Sequence, residues 1–339
     1  MTALALLDRD AGHAQPGHPD RPARLDAVRA AVEGDERLAG LVRVGGGAAP
    51  RGALERVHTT ALLDRVEALA EGGGGEIDAD TYVTPASWDV ARRACGGLLA
   101  VVDAVAEGGA ASGFAVGRPP GHHATPDRAM GFCLVNHVAV AARHAQAAHG
   151  AERVLVVDLD AHHGNGTQDA FYDDPSVLVV SSHQAGLYPS TGALDETGAG
   201  AGAGATVNLP LPARTGDGLV DLYRAVLPPL AARFRPDLVL VSAGFDAHRL
   251  DPLGGLSLSV AGLVDLVGVV HEAADAQGAG LALSLEGGYN VGALAACVAG
   301  TLRRLLDPAA PVDDPFGPSR LPAPDLAPLA RHVRDLHGL

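Results

Sequence analysis

The stretch Arg153–Gly166, RVLVVDLDAHHGNG, begins as an apolar, β-branched run and passes at once into Asp158, Asp160, His162, His163 and a glycine-rich turn. A strand that is apolar on both faces belongs in the middle of a parallel sheet covered on both sides. Ionisable side chains are too costly to leave unpaired inside such a core. The stretch therefore leads out of a buried sheet into the crevice at the carboxyl ends of its strands, where open α/β sheets bind ligands.

Other segments repeat the pattern. TALALL near the start, GFAVGRPPG from Gly113, VLVVSSH from Val177, DLVLVSAGFD from Asp237 and LALSLEGGYN from Leu281 read as short β-rich runs. Between them lie stretches of helical period such as NHVAVAARHAQAAHG and VAGLVDLVGVVHEAADAQG. Strand followed by helix, repeated, predicts an α/β fold with a mostly parallel sheet and helices on both faces. No internal repeat or long linker interrupts it. The chain is expected to form one domain over residues 1–306, followed by a Pro-rich tail over 307–339 that ends in a short helix packed on the same domain.

Several strand ends carry chemistry at once. GRPPGHHA ends in His122 and His123, VSAGFDAH in Asp246 and His248, and SLEGGYN in Glu286 and Tyr289. Asp160 and His162 are two residues apart and leave a locally extended backbone on the same side, and Asp246 arrives from another strand. One imidazole and two carboxylates suit a divalent ion held at about 2.0–2.2 Å with a position left for water, the pattern of a catalytic site. A lone DxD would more simply be a helix cap. Its recurrence with ionisable groups at other strand ends argues for a site.

Composition bounds the function. With 339 residues, 47% hydrophobic, the chain can bury a large core. The three cysteines, Cys95, Cys133 and Cys297, show no CxxC spacing and indicate neither a disulfide framework nor a cysteine metal site. A formal charge of -15 argues against a nucleic-acid surface; it permits a cationic substrate, though an acidic surface that aids solubility explains it equally well. All 25 basic residues are arginine. No run is long and apolar enough for a membrane helix, and MTALALLDRD lacks the features of a signal peptide, so the chain reads as cytoplasmic with no membrane partner. Two glycine-rich patches, EGGGGE and TGAGAGAGAT, are read as loops, because the first is flanked by glutamates and the second opens onto a strand, with no helix N-terminus to hold phosphate.

HPDRPARLDAV, GRPPGHHA, MGFCLVNHVAVAA, VLVVDLDAHHGNGTQDAFY, VSAGFDAHRLDPLGG and LEGGYN resemble, in order from His18 to Asn290, the signature blocks of the histone deacetylase superfamily. The branch they resemble holds class II enzymes, bacterial deacetylase-like amidohydrolases, acetylpolyamine amidohydrolases and acetoin-utilisation proteins. The resemblance implies an arginase-like single domain around an eight-stranded sheet, and one divalent ion, usually zinc, used to remove an acetyl group from an amine. Iron, cobalt or manganese also suit two carboxylates and an imidazole. It makes Asp160, His162 and Asp246 the metal ligands, His123 the base and acid with His122 as its electrostatic partner, and Tyr289 the donor to the substrate carbonyl. Asp158 would support His122 and Asn165 would support His123; class I members carry Asp at the latter place. Gly131, Phe132 and Tyr188 would line the slot for an acyl-lysine stem. Leu253 stands where polyamine-selecting relatives place a glutamate, which turns the expectation toward an acyl-lysine or a generic acylamine. Arg24 would border an internal cavity for acetate or make a plain surface salt bridge. The family also holds K+ or Na+; Asp158, Asp160, His162, Ser181 and Ser182 fit one such site, and Phe171 and Val177 lie near a second.

Three alternatives differ in kind. A two-metal ureohydrolase needs a further aspartate after the DAH histidine, where His163 and Gly164 stand. A non-catalytic acylamine binder would have lost a ligand, a base or Tyr289, and all are present. An acetylpolyamine or N-acetylated metabolite in place of acyl-lysine keeps the same chemistry.

Overall fold

The computed structural model describes residues 1–8, 10–319 and 324–339. In chain order its strands are β1 (Thr2–Leu6), β2 (Leu41–Arg43), β3 (Gly75–Glu76), β4 (Tyr82–Val83), β5 (Ser112–Val116), β6 (Val154–Asp158), β7 (Val177–Gln184), β8 (Thr206–Leu211), β9 (Leu238–Ala243) and β10 (Gly280–Leu285). The helices are α1 (Ala23–Glu33), α2 (Arg51–Leu54), α3 (Thr60–Glu71), α4 (Ser87–Ala106), α5 (His137–His149), α6 (Asn165–Phe171), α7 (Leu219–Phe234), α8 (Val260–Asp275), α9 (Val291–Leu306) and α10 (Ala327–His337).

Eight strands form one sheet in the order β2-β1-β5-β10-β9-β6-β7-β8. Every pairing in it is parallel, so the expected mostly parallel sheet is wholly so. Among the described residues only β3 and β4 stand apart, as a two-stranded antiparallel pair. The strand β6 pairs with β9 on one side and β7 on the other. Its alternate residues serve two cores: Leu155 and Val157 face the layer that holds α1, α7, α8 and α9, and Val154 and Val156 face α4 and α5. Each such side chain contributes roughly 1.5–3 kcal/mol of burial, so the first ionisable residue of the stretch, Asp158, comes only at the last position of β6.

That constraint positions the site. The four central strands, β5, β10, β9 and β6, run in one direction, and the ionisable residues follow their carboxyl ends. At the other end of the chain α10 buries Ala330 and Val333 and packs on α7. Within the tail expected over 307–339, residues 320–323 lie outside the described residues. No helix among the described residues is long and apolar enough to cross a membrane.

Candidate active site

After Asp158 the chain does not stay extended. It bends over Asp160–His162, and the amide of His162 donates to Asp160 Oδ1 at 2.9 Å. The expected extended backbone is therefore wrong in detail: an aspartate side chain capping its own turn is what brings the two groups together. His162 Nδ1 lies 3.0 Å from Asp160 Oδ1 and 2.9 Å from Asp246 Oδ2. One donor atom from each of the three residues lies within 4.8 Å of the others, and both carboxylates are buried. Burial, with Asp160 alongside, pushes the Asp246 carboxyl up to about 7. Burial works against a charged His162 ring, yet Asp246 and Asp160 outweigh it and hold the imidazole up at about 11. Two adjacent buried carboxylates that draw so strongly on the imidazole between them fit a divalent ion, and a donor set without sulfur suits zinc, iron, cobalt or manganese.

Two glycines make room for this cluster. A Cβ at Gly244 would fall 2.1 Å from Asp160 Oδ2, and one at Gly287 would fall 2.3 Å from Asp246 Oδ2. The amide of Gly287 also donates to Asp160 Oδ2 at 2.9 Å, and the amide of Ala161 to Asp246 Oδ1 at 2.8 Å.

The paired histidines follow β5, and each lies against the residue expected to support it. His122 Nδ1 is 3.0 Å from Asp158 Oδ2, and His123 Nδ1 is 2.8 Å from Asn165 Oδ1. Their rings are 4.0 Å apart between centroids. Burial lowers the His122 imidazole, but Asp158 and Asp160 outweigh it and hold it up at about 10. Burial, with His122 and His162 adding to it, holds the His123 imidazole well below the usual histidine range.

A pocket of about 260 Å³ opens onto this group, lined by His122, His123, Asp160 and His162 at the floor and by Gly131, Phe132, Tyr188, Leu253 and Tyr289 on the walls, with Asp80, Pro120 and Leu187. Phe132 meets Tyr289 edge to face at 5.7 Å. It sits at φ 70°, in the left-handed region that an aromatic residue seldom adopts, and its amide donates to Thr81 Oγ1 at 3.1 Å. Backbone strain of this kind persists where neighbours enforce it, as at functional sites. Burial, aided by Asp246 and Asp160 against Arg24, pushes the Tyr289 phenol well above its usual range.

Arg24 is fully buried, so the surface salt bridge expected as one alternative is absent. Its guanidinium donates to Asp20 Oδ1 at 2.7 Å and to the carbonyls of Gly288 and Glu286 at 2.7 and 2.6 Å, 4.9 Å from the Tyr289 ring centroid. Ser181 pairs with Asp158 in register, and Ser182 Oγ lies 3.5 Å from the Asp158 carbonyl. Phe171 closes α6 and Val177 opens β7, both buried.

Sequence reasoning left three supports unassigned. Glu286 accepts from the amides of Gly121 and His122 at 2.6 and 3.1 Å and so ties the histidine loop to β10. Asp251 accepts from the amides of Tyr289 and Asn290 at 2.6 and 3.1 Å. A buried carboxylate straight after the apolar run LALSL was the available signal for Glu286; nothing in the sequence marks Asp251 as the anchor of Tyr289. Tyr223 was also missed, its hydroxyl 2.8 Å from Ser182 Oγ.

Comparison with known proteins agrees with this arrangement. Residues 18–305 match the model of the histone deacetylase domain. The chain is 40% identical over 269 residues to "Histone deacetylase 10, chloroplastic" of Oryza sativa subsp. japonica, covering 76% of this chain and 61% of that relative. It is 41% identical over 286 residues to a "Probable deacetylase" of Methanothermobacter thermautotrophicus, covering 83% of this chain and 84% of the relative. Among solved structures the HDA15 HD domain superposes with a TM-score of 0.84 at 36% identity, covering 91% of each chain. Sequence, fold and superposition converge, and the chain belongs to the histone deacetylase family of hydrolases.

Proposed function

We propose that the chain is a metal-dependent amidohydrolase that removes an acetyl or other short acyl group from an amine, with acyl-lysine as the favoured substrate class. The observation that carries it is the convergence of Asp160, His162, His122, His123 and Tyr289 on one pocket, with Asp246 clustered against Asp160 and His162 behind its lining. Zn2+, or Fe2+, Co2+ or Mn2+, would be held by Asp160, His162 and Asp246, and when bound it supplies Lewis-acid activation of water and of the substrate carbonyl.

The side chains divide the remaining work. Asn165 Oδ1 accepts from His123 Nδ1, which places the ring proton there and leaves the Nε2 lone pair free. His123 Nε2 takes a proton from the attacking water and returns it to the amine nitrogen as the C–N bond breaks, since an amine leaves readily only once protonated. His122, charged against Asp158, disfavours a resting charge on His123 and keeps it ready as base. The Tyr289 hydroxyl stays protonated and donates to the carbonyl oxygen as that atom gains negative charge. Phe132 and Tyr188 flank a linear acyl-lysine stem, with Gly131 narrowing the slot: a Cβ there would fall 2.5 Å from His123 and 2.8 Å from Tyr188. Leu253 offers no charge to a second amine, which favours acyl-lysine over acetylpolyamine. Arg24 would border a cavity that receives the released acetate. K+ or Na+ would sit by Asp158, Asp160, His162, Ser181 and Ser182, and a second such ion near Phe171 and Val177, held there by backbone carbonyls because those side chains are apolar.

The test compares acetate release from acetyl-lysine peptides, acetylated polyamines and a panel of N-acetylated metabolites under one set of conditions. The highest kcat/KM is expected on acetyl-lysine peptides. A tenfold or greater preference for acetylpolyamine would overturn the substrate class, and no release from any of them would overturn the activity.

A further inference from the structure

Away from the pocket, α4 and α5 pack side by side and bring three more ligating groups together. Asp103 on α4 has Oδ1 2.6 Å from His144 Nε2 and 2.7 Å from His149 Nε2, both on α5. The donor atoms lie within 4.8 Å of one another, and the two rings are 5.6 Å apart between centroids at 78°. All three residues are half-buried. Since α4 leads into β5 and α5 into β6, both helices finish near the amino ends of the strands, opposite the carboxyl ends that carry the active site.

Residues five apart on an α-helix point about 140° away from each other around its axis. His144 and His149 do not share a face by default; both rings turn in toward α4 to reach the same oxygen. Two imidazole nitrogens and one carboxylate oxygen suit Zn2+ and its transition-metal neighbours, whereas Mg2+ and Ca2+ prefer oxygen alone. Asp103 and His144 also line an open surface cleft of about 540 Å³, which gives an ion a way in and a water a fourth position. Among the residues lining that cleft, Asp103 is the sole carboxylate and Arg56 the one guanidinium.

We propose that Asp103, His144 and His149 form a second divalent-metal site of the zinc class that clips α4 to α5, separate from the active site. Both histidines bind as neutral rings through Nε2, with the ring proton on Nδ1. The donors move apart from their present contacts to about 3.3 Å, the spacing of ligands around a tetrahedral ion with bonds of about 2.0–2.1 Å.

The test counts zinc. Wild-type protein and the His144→Gln/His149→Gln double variant are stripped with a chelator and reloaded with Zn2+. Free ion is then removed and bound zinc per chain measured by elemental analysis. The variant is expected to hold one zinc fewer than the wild type. Equal counts in the two proteins overturn the proposal, whatever the occupancy of the active site, so failure here is distinct from failure of the catalytic reading. If circular dichroism shows the double variant misfolded, Asp103→Asn, which keeps the side-chain shape, is expected to lose the same single zinc, and an unchanged count in it overturns the site.

Discussion

At Gly244 and Gly287 a single methyl group decides whether the carboxylates can stand where they do. Its nearest neighbours would be Asp160 Oδ2 and Asp246 Oδ2, at distances far inside van der Waals contact. Gly244→Ala is therefore expected to lose bound metal and at least about 100-fold in kcat/KM, measured by elemental analysis and acetate release; unaltered activity would show that Asp160 is not needed in its present position. Tyr289→Phe keeps the ring and removes the donor, so it is expected to hold metal normally while kcat falls roughly 100-fold or more, the scale of one oxyanion donor. Wild-type kcat in that variant would place the carbonyl elsewhere. The ionisable residues of the site were legible in the sequence because a charged group straight after a buried apolar strand is costly unless a partner or an ion meets it there. The roles of the glycines and of Asp251 were not, because their work is defined by distances between segments far apart in sequence, a separation of 127 for Gly287 and Asp160.

Among the elements, the long apolar strands were legible and the marginal ones were not. VLVVD and LVLVSA are buried on both faces and read as strands from composition alone, while β2 is three residues of an edge strand, LVR, too short and too exposed to show a pattern. The helix α7 runs through Pro228 and Pro229, where a local rule would end it; burial of Leu227, Leu230 and Ala231 in the core overrides the rule. Connections between elements carry their own titration. His58, between α2 and α3, donates from Nδ1 to the Thr125 carbonyl at 3.0 Å and accepts at Nε2 from the amide of Asn136, the N-cap of α5, at 2.8 Å. Acceptance at Nε2 requires the neutral ring, and burial holds its pKa down at about 4. The unfolded chain takes up a proton as pH falls below about 6.5, and the folded one does not until near 4, so this contribution is complete above 6.5 and is lost on acidification. Relative to His58→Gln, which has no such proton, wild-type stability is expected to fall by roughly 1 kcal/mol per pH unit between pH 6 and 4.5. Urea unfolding of metal-loaded protein at several pH values measures this, and parallel curves for the two proteins would contradict it.

Across the whole molecule, catalysis and cohesion are placed apart. The site gathers at the carboxyl ends of the central strands of a parallel sheet, and α10 closes the fold on α7 without lining the pocket. Val333→Ala, at a fully buried position of α10, is expected to cost roughly 1–3 kcal/mol of stability and leave kcat unchanged, as read from urea midpoints and turnover. A fall in kcat with the fold intact would instead link the tail to the site. The proposed chemistry depends, before anything else, on a divalent ion held by Asp160, His162 and Asp246. Its sharpest test is deacetylation of an acetyl-lysine peptide as Zn2+ is added back to metal-stripped protein, in the wild type and in Asp246→Ala. Turnover is expected to rise from baseline with added zinc in the wild type and to stay absent at every zinc concentration in Asp246→Ala; full turnover by the stripped wild type, or by Asp246→Ala, would refute the metal-dependent reading.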